Sequence, residues 1–80
     1  MATKEDLQEW VAEALRGLGG SARLIDVAKF IWAAHESELR HSGNLFFTWQ
    51  YDMRWAANQL RRRHVMKDAN ISPAGVWELA

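Results

Sequence analysis

The stretch FTWQYDMRWAANQLRRR (residues 47–63), with HVMK (64–67) and GVWEL (75–79) after it, decides how this chain folds. Its apolar residues recur at spacings of four, three and four, which places them on one side of an α-helix. That stripe consists of Trp49, Met53, Ala56 and Leu60. We therefore expect a third helix over about residues 48–63, with Thr48 as its N-cap, leading directly into two short strands.

The other side of this helix carries hydrogen-bonding and basic side chains, with Asp52 as its only acid. A face that serves only solubility usually mixes both signs of charge. On a DNA-binding hypothesis, Arg54 and Asn58 read base edges, and Gln50 and Tyr51 make secondary base contacts. On the same hypothesis Arg61, Arg62 and Lys67 bind phosphates. The complete set of candidate DNA contacts is Gln50, Tyr51, Arg54, Asn58, Arg61, Arg62 and Lys67.

Two further helices are predicted upstream. The first covers about residues 3–18, because Thr3 and Asp6 form a T-x-x-D capping pattern and Gly19-Gly20 supplies a stop. The second covers about residues 24–38. The segment 21–23 between them is short enough for only a brief edge strand.

The predicted fold class is α+β: a winged helix-turn-helix with three helices and a short antiparallel hairpin wing. In this prediction residues 64–67 pair with residues 75–79, and the turn-rich segment DANISPAG (68–75) forms the wing loop. We expect ten residues to form most of the core: Leu7, Val11, Ala14, Leu15, Val27, Ile31, Met53, Ala56, Leu60 and Trp77.

Composition narrows the class of protein. A chain of 80 residues predicts one domain, residues 1–80, and the absence of cysteine excludes disulfides and thiolate metal sites. Neither a signal peptide nor a membrane span is recognisable, so we expect a cytoplasmic protein without a membrane partner. The net charge of zero is unevenly distributed. Residues 1–39 hold seven acids and four bases (−3), and residues 40–80 hold three acids and six bases (+3).

Catalysis is not expected. His35, His41 and His64 have neither the spacing of a helical metal pair nor that of a zinc finger. No serine, histidine and aspartate occur in a recognisable nucleophile context, and no glycine-rich phosphate loop is present. The sequence therefore predicts a binding module with no enzyme activity, no metal and no cofactor.

Several short motifs resemble the N-terminal winged-helix domain of Mrr-type restriction proteins. They are Met53-Arg54-Trp55-Ala56, Leu60-Arg61-Arg62, Val65-Met66 and Gly75-Val76-Trp77-Glu78-Leu79. The resemblance implies binding to double-stranded DNA, with helix 3 in the major groove, and a role in directing a separate nuclease domain to specific or modified DNA. It also implies a domain excised from a larger protein.

The chain departs from this family pattern in two places. His64 stands where the family usually has glycine after the third helix, at a cost of roughly 1 kcal/mol in a left-handed conformation. Between Asp68 and Leu79 there is no Lys or Arg to contact phosphate, which leaves backbone N–H groups, Asn70 and Ser72.

The alternative hypothesis is a protein–protein interaction or homodimerisation module on the same fold. Zero net charge and a wing without Lys or Arg favour it, as does an apolar patch formed by Phe30, Trp32 and Trp55. For Trp55 a structural role is preferred over stacking on nucleic acid, whereas for Tyr51 both roles remain open.

Overall fold

Three helices and a two-stranded antiparallel sheet make up the computed structural model, which describes residues 2–80 and leaves only Met1 of the predicted domain outside. The elements in chain order are α1 (Asp6–Gly17), β1 (Ser21–Arg23), α2 (Leu24–Arg40), α3 (Leu45–Arg62) and β2 (Val76–Glu78). The chain therefore folds as a small α+β domain, with extents of 35 × 21 × 17 Å.

One apolar core joins the three helices, with α1 packed against both α2 and α3. All ten predicted core residues are buried, and the most exposed of them is Trp77 at 8 %. The core also takes in Trp10 of α1, Leu39 of α2 and Met66 from the segment after α3. The helical spacing of apolar residues thus identified the inward faces correctly.

Helix α1 begins three residues later than predicted, after a tight turn. The Asp6 N–H donates to the Thr3 carbonyl oxygen at 3.0 Å, and the Thr3 N–H donates to Asp6 Oδ2 at 2.9 Å. The second bond is one half of the predicted capping box. At the other end, Gly19 and Gly20 both have positive φ angles, and the Gly20 N–H donates to the Leu15 carbonyl oxygen at 2.7 Å.

Helix α3 begins at Leu45, so the prediction of Thr48 as its N-cap was wrong. Gly43 turns the chain with a positive φ, and Leu45 is buried, which anchors an additional helical turn on the core. Thr48 lies inside the helix, where its hydroxyl donates to Asp52 Oδ2 at 2.8 Å. One consequence is that Phe47 belongs to the helix and takes a place on its outer face.

The sheet differs from the predicted hairpin. Strand β2 pairs with β1, in the register Ser21↔Glu78, Ala22↔Trp77 and Arg23↔Val76, which confirms the brief strand expected at 21–23. The predicted strand 64–67 is reduced to one bridge, Met66↔Leu79. Two hydrogen bonds flank that bridge: the Lys67 N–H donates to the Glu78 carbonyl oxygen at 3.0 Å, and the Ala80 N–H donates to that of Val65 at 2.9 Å.

The helix cap explains why the strand is so short. His64 has a φ of 60°, and the Val65 N–H donates back to the Leu60 carbonyl oxygen at 2.8 Å. A left-handed residue with such a backward bond is typical of a helix C-terminus. Residues 64 and 65 therefore terminate α3, and only Met66 is left to reach β2.

No helix of the described chain combines the length and the apolar character required to cross a bilayer.

Candidate nucleic-acid interface

The outer face of α3 is a continuous exposed ridge. Phe47, Tyr51, Arg54 and Asn58 follow one another at spacings of four, three and four, so that their side chains lie on one side of the helix. All four are exposed; Phe47 is 82 % and Tyr51 77 % accessible. The ridge contains three of the predicted DNA contacts, on the face that the sequence indicated.

A groove runs between α2 and α3 beside this ridge. It consists of three adjoining cavities of about 370, 420 and 260 Å³. From α2 and its start come Leu24, Ile25, Ala28, Lys29 and Trp32. From α3 come Phe46, Trp49, Gln50, Tyr51, Met53, Arg54, Asn58 and Arg61, and Trp77 of β2 closes the far end. We call this concavity the α2–α3 groove.

Cations alone supply the formal charge of the α2–α3 groove. Lys29, Arg54 and Arg61 line it, and no Asp or Glu of residues 2–80 does. Lys29 and Arg54 form no ion pair with any described carboxylate. In contrast, Arg16 of α1 pairs with Glu9, and Arg40, which lies over the rings of Trp32 and Phe46, pairs with Glu36. The groove is therefore positive, although the net charge of the chain is zero.

The C-terminal end of α3 is held by a small polar network. Arg61 Nη1 donates to Asn58 Oδ1 at 3.2 Å, and Arg61 Nε donates to the Lys67 carbonyl oxygen at 3.3 Å. Lys67 Nζ lies 3.7 Å from Glu78 Oε2, which offsets part of its charge. Arg62 is exposed next to this network and does not line the groove. The structure thus brings six of the seven candidates onto α3 and holds Lys67 beside Arg61.

The predicted set of contacts lacked the exposed residues Ile25 and Lys29 of the groove and Phe47 of the ridge. Ile25 and Lys29 come from α2, and no periodicity within α3 reveals which helix packs beside it. The sequence held one signal, since Ile25 falls off the apolar stripe of its own helix and is 58 % exposed. Phe47 was missed because Thr48 was taken as the start of the helix.

Two other residues on α3 and at its end have structural roles. Trp55 is half-buried against the core, with Lys4 Nζ 4.3 Å from the centre of its ring. Arg63 Nη1 donates to Gln8 Oε1 of α1 at 3.0 Å. Neither lines the groove, which agrees with the structural role preferred for Trp55.

The apolar patch proposed for a protein partner does not form as predicted. The Phe30 ring lies against Gly17 of α1, where an added Cβ would be 2.7 Å from two ring carbons. Trp32 instead lines the groove, with its ring centre 6.0 Å from that of Trp49, and Trp55 lies beneath Lys4. Each of the three packs at a different place.

A second group of ionisable side chains lies between α1 and α2. His35 stacks on Trp10 with ring centres 3.9 Å apart, and its Nε2 and Nδ1 lie 2.8 Å from Glu13 Oε1 and 2.7 Å from Glu38 Oε1. Burial of the ring lowers the pKa of His35. The hydrogen bonds and charges of Glu38 and Glu13 outweigh that effect and raise the pKa above its ordinary value of 6.5.

This arrangement directs each imidazole nitrogen at a different carboxylate, as befits a doubly donating imidazolium. Across residues 2–80 there is no group of three His, Cys, Asp or Glu side chains that could hold a metal ion. Five of the seven predicted contacts line the α2–α3 groove, and Arg62 and Lys67 lie outside it.

Comparison with known proteins returned no family model, no curated protein and no solved structure that matches this chain.

Proposed function

We propose that this protein is a winged-helix module that binds double-stranded DNA, with α3 entering the major groove. The observation that carries the proposal is the acid-free, cation-lined α2–α3 groove beside the exposed ridge of α3. DNA-binding surfaces neutralise phosphates with basic side chains and read bases with Arg and Asn, and both types are present here.

The order of elements supports the winged-helix part of the proposal. A short strand between the first two helices, a third helix and a returning C-terminal strand occur in that order, and Met66 adds one bridge to Leu79. In such modules the third helix presents its outer face to a DNA groove. In this proposal the segment 68–75 is the wing, and it carries no Lys or Arg.

We assign roles by exposure and contact. Arg54 and Asn58 read base edges, Gln50 and Tyr51 contact bases near the start of α3, and Arg62 binds phosphate. Arg61 donates a hydrogen bond to Asn58, so in this proposal it supports the base contact of Asn58 and also binds phosphate. Lys67 is the weaker phosphate anchor because Glu78 lies beside it. The resemblance to Mrr-type restriction proteins extends the proposal to a cytoplasmic module that directs a separate nuclease domain to specific or modified DNA.

The test is a titration with methylated and unmodified duplexes, begun at low salt because non-specific binding at physiological salt is only about 10⁻⁴ to 10⁻⁶ M. Arg62→Ala should weaken binding to every duplex alike and reduce the slope of log K against log salt by roughly one. Arg54→Ala should instead reduce the preference between duplexes, by about 1–3 kcal/mol.

Arg16→Ala is the matched control, because it removes one positive charge from α1, far from the ridge in sequence and paired with Glu9. It should leave the affinity nearly unchanged. Failure of every duplex to shift the amide signals of residues 50–62 at low salt would contradict the proposal.

The second candidate function is a protein–protein interface or homodimer, and one observation favours it. Ile25 and Tyr51 expose large apolar side chains in the same groove, and Phe47 does so on the ridge beside it. Sedimentation of the protein across a concentration series distinguishes the two. A dimer that dissociates when Phe47 is changed to Ser, without any DNA response, would replace the DNA-binding proposal.

A further inference from the structure

Three of the five large apolar residues that are well exposed in the described chain lie in the α2–α3 groove or on the ridge beside it. They are Ile25, Phe47 and Tyr51, with exposures of 58, 82 and 77 %. Contacts with phosphate and with the polar edges of paired bases do not require Ile25 or Phe47. A cluster of this kind marks a surface that covers apolar or aromatic groups of a ligand.

The cavity next to this cluster has a definite chemistry. Its volume of about 370 Å³ falls within the range of roughly 300–1,000 Å³ that small-ligand sites occupy. Trp32, Phe46 and Trp49 provide aromatic walls, and Gln50 contributes an amide that both donates and accepts hydrogen bonds. Lys29 adds a cation that has no ion-pair partner among residues 2–80.

This combination matches a nucleotide whose base has left the helical stack. A base paired in a duplex offers a protein only its edges, whereas an extruded base also offers two aromatic faces. Aromatic side chains stack on those faces, an amide pairs with the edge, and a cation neutralises the adjoining phosphate. The cavity and its rim hold each of these three partners within one site.

We propose, on the basis of the proposed DNA-binding function, that the α2–α3 groove receives a base extruded from the duplex. Tyr51 stacks on the base at the rim, Gln50 hydrogen-bonds its edge, and Lys29 binds the flanking phosphate. Arg54, next along the groove, stays on the paired DNA. The module therefore reads DNA that contains a weakly paired or altered base in preference to a perfectly paired duplex.

The competing occupant is an acidic amphipathic helix from a partner protein, which would also suit an apolar groove with cations. The base is favoured because three of the seven residues that line the first cavity are aromatic and its polar group is an amide. Binding of such a peptide is therefore an outcome that the experiment has to register.

The experiment measures dissociation constants by fluorescence anisotropy, at low salt, for two labelled duplexes of one sequence that differ by a single mismatched pair. Extrusion costs least where pairing is already weak, so the mismatched duplex should bind at least tenfold more tightly. Tyr51→Ala should reduce that preference, with roughly a tenfold loss on the mismatched duplex for the lost base stack. Gln50→Ala should also reduce it, because the hydrogen bond to the base edge is lost.

Tyr51→Phe is the matched control, since it retains the stacking ring and should retain the preference. Both side chains that are changed are exposed, so the variants should fold. Leu18→Ser controls for loss of an apolar surface residue that does not line the groove. Arg62→Ala should weaken binding to both duplexes equally.

Each outcome separates this proposal from the one that it rests on. Equal affinity for the two duplexes, or a preference that survives Tyr51→Ala, would overturn base extrusion and leave DNA binding in place. Failure of both duplexes to bind would overturn both proposals. Anisotropy changes with a labelled acidic amphipathic peptide, lost in Tyr51→Ala, would then assign the groove to a protein partner.

Discussion

His64 occupies the backbone conformation that glycine adopts most readily. Its φ of 60° places it in the left-handed region, where a Cβ costs roughly 1–2 kcal/mol, and its side chain is exposed. The chain accepts this cost because the turn directs Met66 into the core and onto β2. The residue is a point at which the sequence is not optimised for stability.

His64→Gly should therefore stabilise the domain. We expect the free energy of unfolding to rise by about 0.5–1 kcal/mol, the strain relieved less the greater entropy of a glycine in the unfolded chain. Urea denaturation followed by tryptophan fluorescence measures the change. His64→Ala is the control: it retains a Cβ and should give no stabilisation. A gain of the same size in both variants would mean that strain at φ is not the cause.

A pH dependence follows from the contacts of His35. Because the pKa of this group is raised in the folded state, its contribution to stability is fully present below the unfolded value of 6.5 and is lost as the pH rises through the folded pKa. We expect the free energy of unfolding to fall as the pH increases above about 6.5. Denaturation curves at several pH values provide the measurement.

His35→Phe serves as the reference for that experiment, since it retains a ring to stack on Trp10 and cannot titrate. The fall above pH 6.5 should be smaller in this variant than in the wild type. An identical pH profile in the two proteins would assign the dependence to other groups.

Among the elements, α3 connects the core to the exposed ridge. One side buries Trp49, Met53, Ala56 and Leu60, and the opposite side presents Tyr51, Arg54 and Asn58. Any loss of packing beneath the helix would therefore tilt the side chains above it. Stability of the core and geometry of the groove are coupled through this one element.

Leu60→Ala tests that packing. Leu60 is 2 % exposed, and truncation of a buried leucine costs about 2–5 kcal/mol, a large share of the stability of a small domain. The expected result is a substantial fall in the melting temperature. Ile71→Ala, at a position that is 66 % exposed, should change stability by less than about 0.5 kcal/mol. Equal melting temperatures for Leu60→Ala and the wild type would show that α3 faces another way.

The sequence predicts the helices well and the sheet less well, for a physical reason. Helical faces follow from spacing within one segment, so the nine core residues on helices were identified correctly, and Trp77 followed from the alternation of its strand. Which segment pairs with β2 depends on where β1 lies in space, and the sequence offers two short segments, 21–23 and 64–67. Residues 64 and 65 do not pair with β2 because they form the C-terminal cap of α3.

The candidate site also has one part that the sequence predicts and one part that it does not. The ridge of α3 could be predicted because its angular position is fixed by that of the buried stripe. The α2 side of the groove could not, since the packing of one helix against another is a tertiary property. Thr48 shows why local rules are insufficient. Its residue type favours an N-cap, but burial of Leu45 in the core extends α3 by a turn, so that Thr48 lies inside the helix.

For the whole molecule, the sheet is the contact that joins the early and late parts of the chain. Ala22 pairs with Trp77, and the Leu79 N–H donates to the Gly20 carbonyl oxygen at 2.8 Å. Removal of residues 74–80 takes away Trp77, leaves β1 without its partner and uncovers the end of the groove.

A chain that stops at Pro73 should therefore lose cooperative folding. Dispersed amide signals in an NMR spectrum should collapse toward random-coil positions, because a core of this size tolerates little loss. The matched control is removal of Ala80 alone, which forfeits one hydrogen bond to Val65 and should leave the spectrum dispersed. A folded chain ending at 73 would show that the three helices suffice.

Pairing of β1 with β2 also affects the timing of synthesis. The first helix emerges from the ribosome long before Val76–Glu78, and until those residues arrive the amides of Ser21–Arg23 and the apolar faces of all three helices have no complete partner. Contacts that are distant along the chain form slowly, and domains generally fold as units. During translation the nascent chain thus exposes the apolar surface of an incomplete core. Chaperones would bind it in the interval before β2 leaves the exit tunnel.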